Sequence, residues 1–124
     1  MPTVLLIEDD RNCARLVTKV LEPHGFTIAH ATGGLAGLKL AREIHPNVIL
    51  VDMDLPDLDG RAVVVQLRGI NALHGVPVIA FTAQPGARAR RIALAVGCDD
   101  FISKPIDTRA LPTQISDFIN RVHA

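Results

Sequence analysis

Four kinds of polar residue stand at the ends of apolar runs in this chain. Glu8, Asp9 and Asp10 follow Val4-Leu5-Leu6-Ile7, and Asp52 and Asp54 follow Val48-Ile49-Leu50-Val51. Thr82 closes Val78-Ile79-Ala80-Phe81, and Lys104-Pro105 follows Phe101-Ile102-Ser103. Carboxylates, a hydroxyl and an ammonium brought together suit a hard divalent cation and a phosphoryl group. Mg²⁺ takes oxygen ligands in octahedral geometry, keeps several waters, and binds through one or two carboxylates plus a phosphate. Taken singly, an acidic loop, a strand-end threonine or a surface lysine is ordinary. Their common position at strand ends carries the argument.

Asp52 is the best candidate nucleophile, because a carboxylate can accept a phosphoryl group as an acyl phosphate. A transferring phosphoryl group spreads negative charge over its equatorial oxygens, so the site must supply cationic and hydroxyl contacts. A bound cation, Lys104 and Thr82 are the groups available. Ala83, directly after Thr82, is small enough to let a phosphodonor approach. Clustered acids at residues 8, 9 and 52 repel one another, which raises some of their pKa values until a cation relieves the repulsion.

These residues need a scaffold that gathers strand ends. Short apolar runs rich in β-branched residues read as strands buried on both faces, and they alternate with helix-like segments. The pattern predicts strands near 3–8, 26–30, 47–52, 76–81 and 99–102, with helices near 11–22, 33–44, 60–69, 87–96 and 108–122. Alternation of this kind builds an α/β fold, a doubly wound five-stranded parallel sheet of flavodoxin-like order 2-1-3-4-5 with five helices. Ligands in such sheets bind outside the carboxyl ends of the strands, where all the residues above fall. Asp10 is placed to cap the first helix. Leu16, Val17, Val20 and Leu21 give that helix an apolar stripe, Leu35, Leu38 and Ile44 the second, and Ile115, Phe118, Ile119 and Val122 the last. Gly25, Gly75 and Gly97 mark returns from helix to strand, where a left-handed residue commonly ends a helix.

The 124 residues are enough for one domain that buries roughly two thirds of its unfolded surface. Lys plus Arg and Asp plus Glu both number 13, and this balance argues against a nucleic-acid binder, which needs a basic stripe. The chain shows no membrane span, secretory core, repeat or linker, so the expectation is a cytoplasmic protein of one domain spanning 1–124 with no effector domain beside it. Cys13 and Cys98 have no metal-type spacing and read as reduced thiols in core or near-core segments. The five histidines are scattered, mostly near loops or element ends, without ligand spacing.

The motifs Leu6-Ile7-Glu8-Asp9-Asp10, Asp52-Met53-Asp54-Leu55-Pro56-Asp57-Leu58-Asp59-Gly60, Thr82-Ala83 and Lys104-Pro105 resemble, in order and spacing, the receiver domain of two-component response regulators. The resemblance runs over essentially the whole chain. It implies that Asp52 is the phosphoacceptor and that Glu8 and Asp9 form an acidic pocket. Asp9 and Asp52 would ligate Mg²⁺ (with Mn²⁺ as a substitute) through side chains, and Asp54 through its backbone carbonyl. Thr82 and Lys104 would contact the phosphoryl oxygens, and the bond before Pro105 would be cis. Donation would come from a sensor histidine kinase or a histidine phosphotransfer protein. Output would pass through the fourth helix, fifth strand and fifth helix to a downstream protein, with Thr82 and Phe101 as a two-state switch. Such a protein is a signalling switch rather than an enzyme, catalysing only its own phosphorylation and dephosphorylation. The run Gly97 to Ile106 looks most like single-domain relay and cell-cycle regulators and hybrid-kinase receivers.

Some positions depart from the family pattern. Phe101 stands where a tyrosine is usual, so any switch there must work by packing. Asp54 and Gln84 flank the path of attacking water and bear on the lifetime of the acyl phosphate. The fourth helix opens Arg88-Ala89-Arg90-Arg91, either a solvated face or a dock for an acidic partner. Two rival readings stay open. A haloacid dehalogenase-like phosphatase also uses an Asp-x-Asp motif, which Asp52-Met53-Asp54 fits, although the motif follows the third strand and leaves Glu8 and Asp9 unexplained. A phosphorylation-independent receiver-like module is the other.

Overall fold

The computed structural model describes residues 1–83 and 86–123, the side chains of 122 and 123 excepted, so the expectations for Gln84 and for the Val122 side chain lie outside the described residues. Five strands, β1 (Thr3–Ile7), β2 (Thr27–Ala31), β3 (Val48–Asp52), β4 (Val78–Thr82) and β5 (Asp100–Ser103), form one sheet. All pair in parallel, in the order β2-β1-β3-β4-β5. Helices α1 (Arg11–Leu21), α2 (Gly34–Glu43), α3 (Gly60–Arg68), α4 (Ala87–Ala95) and α5 (Leu111–His123) connect or follow the strands, with short 3-10 turns at Glu22–His24 and Asn71–Leu73. The expected elements are all present, displaced by one to three residues at their ends.

β3 and β4 are buried at every position, because helices cover both faces of the sheet. Alternate residues serve the two faces. Leu5, Ile7, Ile49, Val51 and Ala80 point into one core with Leu38 of α2, Val63, Val64 and Leu67 of α3 and Ala93 of α4. Val4, Leu6, Val48, Leu50, Ile79, Phe81 and Ile102 pack on the other side with Ala14, Val17 and Leu21 of α1 and Leu111, Ile115 and Phe118 of α5.

The helix stripes differ from expectation at two positions. Leu35 is 65% exposed and Leu16 41% exposed, while small residues (Ala14, Gly37, Ala41) line the buried faces. α2 packs so closely on β1 that a Cβ at Gly37 would stand 2.5 Å from Ile7 Cδ1. A larger side chain therefore has no room at position 37. Ile44 lies just past the end of α2, and its N–H donates to Leu40 O. The expected left-handed returns are present at Gly25 (φ 91°), Gly75 (φ 88°) and Gly97 (φ 114°). No helix among the described residues is long and apolar enough to cross a membrane.

Candidate functional site

Parallel register brings the strand ends level. Ile7 pairs with Val51, Asp52 with Phe81, and Thr82 with Ser103. The ladder continues one step beyond the strands: Glu8 N–H donates to Ala31 O, Met53 N–H to Phe81 O and Lys104 N–H to Thr82 O, at 2.9, 2.9 and 2.8 Å. Glu8, Asp52, Thr82 and Lys104 thus emerge along one edge of the sheet from the four adjacent strands β1, β3, β4 and β5. Their placement follows from strand length and register together.

Within this edge, one carboxylate oxygen from each of Glu8, Asp9 and Asp52 lies within 4.8 Å of the others. Glu8 is wholly buried and Asp52 nearly so, whereas Asp9 is exposed. Lys104 Nζ donates to Glu8 Oε1 at 2.6 Å and stands 3.4 Å from Asp52 Oδ1. The Asp54 N–H donates to Asp52 Oδ1 at 2.9 Å, with Asp54 itself exposed in the loop after β3. Thr82 is 6% exposed at the end of β4. Beside Thr82 and Asp54 a cavity of about 570 Å³ opens between α3 and α4, walled by Ala89, Ile92 and Ala93. Phe101 of β5 is half-buried against the core on that same face. The Lys104–Pro105 bond is cis, as the resemblance implies.

The electrostatics follow from this crowding. Burial raises the Asp52 pKa, and its hydrogen bond with the Glu8 carboxylate raises it further, against smaller opposing effects of the Asp54 N–H and Lys104. Burial also works to raise Glu8, but hydrogen bonds from Asp52, Lys104 and the Cys13 thiol together hold it below the usual carboxylate range. The two carboxyls are thus pushed in opposite directions, Asp52 up and Glu8 down. Lys104 is pushed up despite its burial, because Glu8 and Asp52 stabilise the ammonium. Three carboxylate oxygens in one cluster fit a hard cation, which would relieve their mutual repulsion.

Other contacts at the site differ in how far the sequence pattern marks them. The Asp10 side chain caps α1 as expected, accepting from Asn12 N at 2.8 Å and Cys13 N at 3.3 Å, while its own N–H donates to Glu8 Oε2 at 3.3 Å. His30, inside β2 rather than at a loop, bonds the Glu8 carbonyl through Nε2 at 2.7 Å. Asp57, in the loop after β3, bonds the N–H groups of Gly34 and Leu35 at the start of α2. A three-residue cap is legible from spacing, but contacts between segments more than 20 positions apart are not.

Comparison with known proteins agrees with this geometry. Residues 4–116 match the response regulator receiver domain family. The chain is 32% identical over 117 residues to the polar-differentiation response regulator DivK of Brucella ovis, covering 94% of this chain and 95% of that protein. It is 31% identical over 121 residues to the DNA-binding dual master transcriptional regulator RpaA of Synechocystis, covering 98% of this chain and 50% of that protein. The chain thus spans about half the length of several curated relatives it matches. Among solved structures, the signal receiver domain of a signal transduction histidine kinase from Syntrophus aciditrophicus superposes with a TM-score of 0.88 at 28% identity, covering 98% of this chain and 92% of that one. The strand order, the strand-end cluster and these matches agree: the chain belongs to the response regulator receiver domain family.

Proposed function

We propose that this receiver is a phosphorylation-dependent switch in which Asp52 accepts a phosphoryl group from a phosphohistidine, on a sensor histidine kinase or a histidine phosphotransfer protein. The observation that carries the reading is the Lys104 ammonium on Glu8 and Asp52, inside a cluster of three carboxylates. In the transfer, an Asp52 carboxylate oxygen forms the new O–P bond as the P–N bond of the donor breaks, and the electron pair leaves with the imidazole.

Each residue has a task in that step. Glu8, Asp9, Asp52 and the Asp54 carbonyl would hold Mg²⁺, which would supply positive charge against the phosphoryl oxygens. Lys104, already beside Asp52, needs only a small displacement to meet a phosphoryl oxygen on it. Thr82 offers a hydroxyl from the adjacent strand end. The Asp54 N–H holds one Asp52 oxygen in place. Burial and the Glu8 carboxylate raise the Asp52 pKa, and a cation held beside it would favour the ionised carboxylate that the transfer needs.

In this reading the receiver signals by binding another protein. Output then passes through protein contacts on α4, β5 and α5, where Arg88, Arg90 and Arg91 are exposed. Phe101 responds to phosphorylation by packing alone, having no hydroxyl.

The test is intact-protein mass after incubation with acetyl phosphate, with and without Mg²⁺, alongside Asp52→Ala. One Mg²⁺-dependent phosphoryl adduct, absent from the variant, is expected. A folded protein that takes no adduct would reverse the reading in favour of a phosphorylation-independent interaction module. Sustained turnover of a phosphomonoester would instead make the Asp52-Met53-Asp54 segment that of a phosphatase.

A further inference from the structure

Helix α2 begins without a cap of its own. Its N-cap residue, Gly33, makes no side-chain bond to the first turn. Asp57 serves instead, from 23 and 22 positions away: Oδ1 accepts from Gly34 N–H at 2.9 Å and Oδ2 from Leu35 N–H at 3.1 Å. The carboxylate also faces the positive end of the helix dipole. These N–H groups hold the Asp57 carboxyl below the usual carboxylate range.

The chain is shaped to admit this carboxylate. A Cβ at residue 33 would stand 3.0 Å from Asp57 Oδ2, tighter than ordinary contact. The Gly33 backbone is extended (φ −155°, ψ 172°), a conformation any residue adopts, so its glycine answers to space and not to backbone strain. Leu58 approaches the same turn, lying 3.0 Å from where a Gly34 Cβ would be.

The other end of this connection is the proposed phosphoacceptor site. Residues 53–59 join β3 to α3. The segment starts with the Met53 and Asp54 N–H groups on Phe81 O and Asp52 Oδ1. It ends at Gly60, where a Cβ would stand 2.5 Å from Met53 Cα, so the loop closes tightly on its own beginning. Asp57 lies between these points and anchors the loop to α2.

We infer that Asp57 is a positioning residue for the cation site: by clamping the start of α2 it fixes the loop backbone that presents the Asp54 carbonyl and holds the Asp54 N–H on Asp52. The inference rests on the proposed Mg²⁺-dependent role of Asp52.

A purely structural cap and a positioning clamp are separated by restoring one without the other. Asp57→Ala removes both, Asp57→Asn keeps an acceptor, and Gly33→Ser/Asp57→Ala supplies a local serine cap in the space the carboxylate vacates. Three quantities are measured on the full chain: Tm in EDTA, Mg²⁺ affinity from amide NMR shifts, and the Mg²⁺ dependence of adduct formation with acetyl phosphate.

Asp57→Ala should lower Tm by about 4 °C and weaken Mg²⁺ affinity roughly tenfold, with the adduct rate recovering at saturating Mg²⁺. Asp57→Asn should retain most of both. The double variant should regain Tm while Mg²⁺ affinity stays low. If the double variant regains Mg²⁺ affinity with its Tm, or if Asp57→Ala binds Mg²⁺ like the wild type, Asp57 is a helix cap only and the inference is overturned. Absence of Mg²⁺ binding and of any adduct in the wild type overturns it as well, and identifies the underlying reading of Asp52 as the point of failure.

Discussion

Lys104 donates to Glu8 at 2.6 Å across 96 positions of sequence, with the Asp52 carboxylate 3.4 Å away. One ammonium therefore partners both buried carboxylates of the site. Lys104→Ala removes the charge proposed to meet the phosphoryl group without removing any proposed cation ligand. Adduct formation from acetyl phosphate should slow about a hundredfold, the cost typical of losing one preorganised donor, while NMR titration still detects Mg²⁺ binding. Wild-type behaviour in both measurements would end the role assigned to Lys104.

Three carboxylates within 4.8 Å repel one another without a cation, so a cation should stabilise the fold. At tenfold excess over its dissociation constant, Mg²⁺ contributes about 1.4 kcal/mol, or an increase of roughly 5 °C in Tm for a domain of this size. Asp9 is the exposed member of the cluster, and Asp9→Ala relieves repulsion while removing a ligand. Calorimetric melting should show the variant at least as stable as wild type in EDTA and indifferent to Mg²⁺. A variant that still gains several degrees from Mg²⁺ would exclude Asp9 from the ligand set.

The strand-end residues were legible because sheet strands buried on both faces leave unbroken apolar runs, and a polar residue closing each run stands out. Register then follows from strand lengths, which is why Glu8, Asp52, Thr82 and Lys104 arrive together as expected. The helix stripes were less legible. At Gly37 the closeness of α2 to β1 selects the smallest residue, so Leu35 reads as core by type yet is exposed. Asp57 and Arg68 were not legible as anchors, since each bonds segments that no local periodicity relates.

Arg68, at the end of α3, is the second such anchor. Its Nε donates to Gly97 O and its Nη1 to Val76 O, both at 2.8 Å, and Nη2 pairs with Asp99, whose carboxylate also accepts from Val78 N–H at 2.9 Å. These bonds hold the segments that enter β4 and β5, at the sheet edge opposite the carboxylates. The Arg68 side chain is 27% exposed, so solvent offsets part of its worth. Arg68→Ala should cost about 2 kcal/mol in urea denaturation and leave Mg²⁺ affinity and adduct formation unchanged. An unchanged stability would show that water replaces the guanidinium without loss.

Both thiols are pushed up to about 12: Cys98 by burial and the adjacent Asp99 against Arg68, and Cys13 by burial and then by Glu8. A thiol in the unfolded chain titrates near 8.5. Because folding raises these values, the stability they contribute is complete only below the unfolded value of about 8.5 and is lost as pH climbs from there toward 12. At pH 8 neither thiol is nucleophilic in the folded protein. Labelling with a disulfide reagent at that pH should run roughly a hundredfold slower than in urea at both positions. Fast native labelling at Cys13 would contradict its contact with Glu8.

Phe101 offers a readout of the switch itself. The chain has four phenylalanines and neither tryptophan nor tyrosine, so its aromatic NMR region is simple. Phe101 is half-buried on the α4 face, whereas Phe26 is 5% exposed in the core on the opposite face, packed with residues of α1 and α5. If occupancy of Asp52 biases the packing around Phe101, beryllofluoride with Mg²⁺ should shift the Phe101 ring resonances and leave those of Phe26 nearly unmoved. Asp52→Ala should abolish the shift. A Phe101 spectrum indifferent to beryllofluoride in the wild type, with amides of residues 52–54 shifting normally, would make Phe101 a static core residue and remove it from the proposed switch.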